Sequence, residues 1–155
     1  MSSTASNVNA TRGRRGARRL AMQALYQWLL AGGREAPIVA DFLAESGADA
    51  IDREYFRELT MACIGEREAL DVLLASCLDR PPAELDPVEH AILLIGAAEL
   101  RDRNELAVSI VTNEAVELAK AFGAEGSHRY ANGVLDRLAA TLRPLEKAGS
   151  ADSGG

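Results

Sequence analysis

An all-α fold is predicted for this 155-residue chain from three features of its sequence. Apolar residues recur at helical spacing over most of its length, and no stretch alternates apolar and polar residues as a half-buried strand does. Glycine, proline and capping residues divide the pattern into about seven segments of helix length. Segments of this kind pack by ridges into grooves, here as two small helical bundles. The length suits one domain with a true core. That domain is expected over about 12–143, with the first bundle at about 12–78, the second at about 83–143, and disordered tails at 1–11 and 144–155.

The first helix is expected to grow out of an arginine-rich arm, Arg12 to Arg19. Its apolar face is set by Ala21, Leu25 and Trp28, and Gly32-Gly33 ends it. Tyr26 lies off that stripe and reads equally as exposed or as a flanking core residue. Pro37 suits the first turn of a short helix through Ala44, which Gly47 ends. Asp52 can cap the next helix, whose stripe is Tyr55, Phe56, Leu59, Ala62 and Cys63. Gly65 is a weak point, and a further helix runs from about Glu66 to Leu78 until Pro81-Pro82 stops it. Asp86-Pro87-Val88-Glu89 is a clear start: a capping aspartate, proline at the first position, and a glutamate that can close a capping box. That helix runs through Ala91, Ile92, Ile95 and Leu100 to about Asp102. Another begins near Ser109, with Val111, Ala115, Leu118 and Phe122 on one face. The last runs from Ser127 to about Leu142, with Ala131, Val134, Leu135 and Leu138 inward.

Composition bounds the function. Hydrophobic residues make up 48% of the chain, ordinary for a soluble globular protein. No run of about 18 apolar residues exists, so no membrane span is expected. The N-terminus is polar and then basic, without the apolar core of a secretory signal. Cys63 and Cys77 lie in apolar helical context with no histidine at metal-ligand spacing, as expected of reduced thiols in a cytoplasmic protein. The net charge of −6 is strongly segregated: the first 34 residues carry about +6 and the rest about −12. Such a chain can bind nucleic acid at its basic end and offer its acidic surface to a different partner.

Catalytic chemistry finds no footing. His90 and His128 are the only histidines, and His90 reads as a surface residue of its helix. Phosphate-loop, dinucleotide and zinc-protease motifs are absent, and the carboxylates are spread as solvated faces. No catalytic residue, metal or cofactor is expected.

The densest polar cluster is the stretch from Lys120 to Arg137. Gly123 and Gly126 can take the positive φ that closes a helix, and Ser127 can cap the next. Ser127, His128, Arg129 and Tyr130 then share a helix N-terminus, where backbone N–H groups and the dipole attract anions such as phosphate. Tyr130 either offers a flat face for a stacked base or packs into the core.

Several segments then stop being generic. Ala17–Trp28 (ARRLAMQALYQW) resembles the opening helix of the NusB family of bacterial transcription antitermination factors. Thr112–Gly123 (TNEAVELAKAFG) and Ser127–Asp136 (SHRYANGVLD) look like that family's most distinctive segments. Val88–Leu100 (VEHAILLIGAAEL) and Tyr55–Leu59 (YFREL) are similar in place and order. The likeness covers about Arg14 to Leu142.

The resemblance implies an all-helical, non-enzymatic factor that binds the boxA element of ribosomal-RNA transcripts as single-stranded RNA. It implies NusE, also a small-subunit ribosomal protein, as partner, and assembly with an RNA polymerase antitermination complex. RNA-binding residues carried over from the family are Arg14, Arg15, Arg18, Arg19, Ser127, His128, Arg129 and Tyr130. Those carried over for NusE are Tyr26, Glu84 and Glu89. Gly126 stands where some members carry an acidic residue, which reduces repulsion of phosphate. The mechanism expects one RNA to engage both the cationic front end and the start of the last helix. Two other readings stay open at this point. The chain can be the helical targeting module of an rRNA methyltransferase, or a structural homodimer, and monomer and dimer are not distinguished.

Overall fold

The computed structural model describes residues 3–47 and 51–146. Among them it has seven α-helices: α1 (Ser3–Ala31), α2 (Glu35–Glu45), α3 (Arg53–Gly65), α4 (Arg67–Ala75), α5 (Pro87–Asp102), α6 (Val108–Phe122) and α7 (Ser127–Leu142). A 3-10 turn, Pro82–Glu84, lies between α4 and α5. No strand occurs among the described residues. The all-α class is as predicted, and no helix among the described residues is long and apolar enough to cross a membrane.

The expected tails need correction where they are described. Residues 3–11 are helical and extend α1, and residues 144–146 are helical as well. The reason at the front end is local. No glycine or proline interrupts positions 3–11, and lengthening an existing helix fixes one residue per added hydrogen bond. Residues 1–2 and 147–155 of the two expected tails lie outside the described residues.

The chain forms two compact units, the first ending at Glu66 and the second beginning at Arg67. The boundary is therefore earlier than the proline-rich loop at which the sequence suggested it. The cause is α4, which packs on α5 and α7. It is also shorter than expected, ending at Ala75 rather than Leu78.

In the first unit α1, α2 and α3 pack on one another. Ala21, Ala24 and Leu25 of α1 meet a core that includes Ile38, Val39 and Leu43 of α2 and Tyr55, Phe56, Leu59 and Cys63 of α3. Asp52 caps α3 as expected, its carboxylate accepting from the Tyr55 N–H at 3.0 Å. Its own N–H donates to the Gly13 carbonyl of α1 at 3.0 Å, which sets the start of α3 against α1. Trp28 is only half-buried, and its indole N–H donates to Gly33 O at 3.0 Å across the end of α1.

The second unit is built around α5, which touches α4, α6 and α7. Every residue from His90 to Leu100 is buried. A helix enclosed on several sides must be apolar nearly all round. That is why Leu93, Leu94, Ala97 and Ala98, off the predicted stripe, are buried too. Asp86 caps the helix, accepting from the N–H groups of Val88 at 2.9 Å and Glu89 at 3.5 Å.

The other end of α5 is capped from a distance. Arg143, just after α7, is buried, and its guanidinium donates to the carbonyls of Glu99 at 3.1 Å, Leu100 at 3.0 Å and Arg103 at 2.7 Å, and to that of Leu106. A cation satisfying the last carbonyls of a helix also complements its dipole. Glu146 completes the fastening by accepting from the Val108 N–H at 2.7 Å, at the start of α6.

His90 overturns the expectation of a surface histidine. It is 3% exposed, and its Nε2 lies 2.7 Å from Asp71 Oδ1 on α4. Asp71 also accepts from Arg67 Nε at 3.2 Å. Burial pushes the Asp71 carboxyl up, but the hydrogen bond and charge of His90, followed by those of Arg67, outweigh it and leave it below the ordinary value. A carboxyl that binds its proton less readily when folded stabilises the fold above its unfolded value, near 3.8, and ceases to do so as pH falls through the lower folded one. Asp71→Asn is therefore expected to destabilise the protein at pH 7 by an amount that shrinks as the pH is lowered below about 4. Urea unfolding of both proteins between pH 3 and 7 measures this; a constant difference excludes the assignment.

Candidate nucleic-acid interface

The start of α7 is shaped by the turn that precedes it. Gly126 has φ +85° and is itself the residue before the first helical position, with no side chain capping the helix. Ser127 therefore does not cap. It is the first helical residue, 5% exposed, and its hydroxyl donates back to Ala119 O of α6 at 3.4 Å. Gly123 does not adopt positive φ as expected; it is at −88°. It is needed for space instead, because a Cβ there would lie 2.2 Å from Ser127 Oγ and 2.8 Å from Ala119 O. The serine thus fastens the corner from inside, while Arg129 is exposed and His128 and Tyr130 are half-buried.

Tyr130 is neither core nor free surface. Its hydroxyl donates to Asp79 Oδ1 at 2.9 Å, in the loop after α4. The Arg80 guanidinium carbon stands 5.1 Å from the Tyr130 ring centroid. Arg80 also makes a two-pronged contact with Asp79, Nε to Oδ1 at 2.7 Å and Nη2 to Oδ2 at 3.1 Å. Two residues earlier, Arg137 of α7 donates twice to Cys77 O, at 3.1 and 2.8 Å. The loop is therefore pinned to α7 next to the charged pair.

The charges follow this geometry. The Arg80 and Tyr130 hydrogen bonds hold the Asp79 carboxyl down at about 2, so it is ionised throughout the physiological range. Burial and the bond to Asp79 push the Tyr130 hydroxyl up, keeping it a donor. Glu89 is half-buried; burial pushes its carboxyl up, the charges of Asp86 and Asp79 add to this, and Arg80 opposes it. Glu89, carried over as a partner residue, thus feels the same charge pair that brackets Tyr130.

The basic run sits on α1 in the first unit. Arg15 and Arg19, one turn apart, are exposed, and Arg14 is half-buried. Arg18 is 3% exposed, which corrects its assignment as a surface contact. The guanidinium carbons of Arg14 and Arg18 lie 4.6 and 5.6 Å from the Tyr55 ring centroid, a stacking arrangement that spreads cationic charge over an aromatic face. Helical spacing explains the division: 14 and 18 face α3, whereas 15 and 19 lie on the neighbouring edge. Of the residues carried over for NusE, Tyr26 is 40% exposed, and its neighbour one turn on, Leu30, is 61% exposed. Glu84 is exposed in the 3-10 turn.

Asp79 and Arg80 escaped the sequence reading. Their only local signal is a pair of opposite charges just before Pro81-Pro82, which indicates an extended, exposed loop and says nothing about a tyrosine fifty residues later.

The NusB family model matches residues 15–140. The chain belongs to the NusB family. It is 49% identical over 140 residues to the transcription antitermination protein NusB of Alcanivorax borkumensis, covering 90% of this chain and 93% of that protein. Among solved structures it is similar to antitermination factors NusB and NusE in complex with dsRNA, at 27% identity and a TM-score of 0.76, over 84% of this chain and 98% of that one. T. maritima NusB gives the same TM-score at 26% identity, over 87% and 96% of the two chains. Membership identifies a non-catalytic transcription antitermination factor.

Proposed function

We propose that this NusB-family chain binds single-stranded boxA-type RNA of ribosomal-RNA transcripts together with NusE. In that form it joins the RNA polymerase antitermination complex in the cytoplasm. The observation that carries this reading is the start of α7, where exposed Arg129 and the ring of Tyr130 follow a left-handed glycine turn at a helix N-terminus. Such an end takes phosphate, and an aromatic ring beside it takes an unpaired base. Arg14, Arg15 and Arg19 supply further cationic contacts from α1. Arg18 and Ser127 act behind them, one against Tyr55 and the other against Ala119. The likeness to a NusB–NusE–dsRNA complex supports RNA and NusE as partners. The preference for single strands rests on Tyr130, since a base inside a duplex has no open face to offer. NusE is assigned to exposed Tyr26 and to Glu84 and Glu89, two carboxylates suited to a basic ribosomal protein.

Titration of labelled boxA RNA at several salt concentrations, with and without NusE and against a duplex of the same sequence, tests this. Four phosphate contacts from Arg14, Arg15, Arg19 and Arg129 give a log–log slope of roughly −3. Tyr130→Ala is expected to cost about 1–3 kcal/mol of single-strand affinity and much less for the duplex. A slope near zero, or equal losses on both RNAs, defeats the assignment.

A further inference from the structure

We propose that Arg80 is an additional RNA-phosphate contact held in reserve by Asp79, which keeps its guanidinium on the Tyr130 ring until an RNA phosphate takes the carboxylate's place. The proposal rests on the RNA reading of the α7 start given above. Asp79, Arg80, Tyr130 and Arg137 all lie in the second unit. Arg80 is bound by both nitrogens to Asp79 and lies over the one aromatic ring of the α7 N-terminal turn. Asp79 also holds that ring from its other end through the tyrosine hydroxyl. The loop carrying the pair is tied to α7 by Arg137 on Cys77 O, so it does not drift from the site.

The chemistry favours an exchange rather than a fixed bridge. A guanidinium meets a carboxylate and a phosphate with the same planar, two-pronged geometry. The Asp79 and Arg80 side chains are 61% and 43% exposed, and an exposed ion pair is a weak one that a polyanion can break. Breaking it frees a cation beside a helix N-terminus and clears one face of Tyr130 for a base. The Asp79–Arg80 pair then sets a threshold. A strand offering both a phosphate and an unpaired base displaces the carboxylate, and a lone anion does so less well.

Asp79→Asn separates the parts of this device, since the amide oxygen still accepts from Tyr130 while the charge that holds Arg80 is gone. Binding of labelled single-stranded boxA RNA is compared for the full chain, Asp79→Asn, Arg80→Ala and the double variant, each checked for unchanged helical content by circular dichroism. Asp79→Asn is expected to bind about three- to fivefold tighter, with no loss of salt dependence. Arg80→Ala is expected to bind more weakly, with a slope shallower by about 0.7. In the Arg80→Ala background the gain from Asp79→Asn should vanish. A gain of equal size in that background means that Asp79 only repels RNA and overturns the proposal. An unchanged or weaker Asp79→Asn overturns it as well. Absence of RNA binding by the parent chain overturns the functional reading itself, and this proposal with it.

Discussion

Arg143→Ala is expected to lower the unfolding free energy by about 3–5 kcal/mol, a loss at the top of the range for a single substitution. The guanidinium is 8% exposed and donates to four backbone carbonyls, those of Glu99, Leu100, Arg103 and Leu106. These are the closing carbonyls of α5 and the turn that follows. Two of them also accept a backbone N–H, Glu99 O from Arg103 at 2.9 Å and Arg103 O from Leu106 at 3.0 Å, but all four lose the charged donor, and alanine leaves a void where the guanidinium stood. Each hydrogen bond from a charged donor contributes about 1.5–3 kcal/mol, and water entering the space recovers part of the sum. Arg143→Lys tests geometry apart from charge: one ammonium on a flexible stem does not span four carbonyls, so it should restore less than half of the loss. Urea unfolding is the measurement, with a lowered midpoint and an unchanged m-value expected. A loss below about 1 kcal/mol means that the carbonyls are satisfied by other means.

Phe56→Ala is expected to cost about 3–5 kcal/mol, in the other unit. Phe56 is fully buried on α3, in a core shared with Leu25 and Leu43. Truncation removes the transfer energy of the ring and leaves a cavity that three packed helices close only in part. Leu30→Ala, at an exposed position of α1, is the control and should change stability by less than about 0.5 kcal/mol. Because Arg143 and Phe56 lie in different compact units, amide exchange reads them separately. Arg143→Ala should speed the slowest amides of α5, and Phe56→Ala those of α1 and α3. Unaltered exchange in α3 of a folded Phe56→Ala protein contradicts its placement in that core.

What could be read in advance follows from which interactions are local. Helix ends are local: Asp52 and Asp86 bond N–H groups two or three residues away, and both were placed correctly. The inward face of α7 was placed as well, since Ala131, Val134, Leu135 and Leu138 repeat with the helical period and all are buried. Burial around the whole of α5 was only half visible, because a stripe predicts one neighbour and α5 has three. The arginine arm was legible as charge, but not its division between stacking on Tyr55 and facing outward, which depends on where α3 lies. Ser127 was misread because both a capping serine and a buried first-turn serine follow a glycine, and only the neighbouring helix distinguishes them. His90 with Asp71, Tyr130 with Asp79 and Arg143 with Glu99 pair residues 19, 51 and 44 positions apart. No periodicity carries information over such separations, and of the three only Tyr130 with Asp79 lies at the start of α7.

The corner between α6 and α7 leaves no space for a β-carbon at Gly123, which faces the Ser127 hydroxyl. Any larger residue there would lever the opening turn of α7 outward and swing Arg129 and Tyr130 with it. The aim of Arg129 and Tyr130 is thus governed from the corner behind them. A methyl group added at position 123 would therefore be read out six and seven residues further along, as a change in where positions 129 and 130 point.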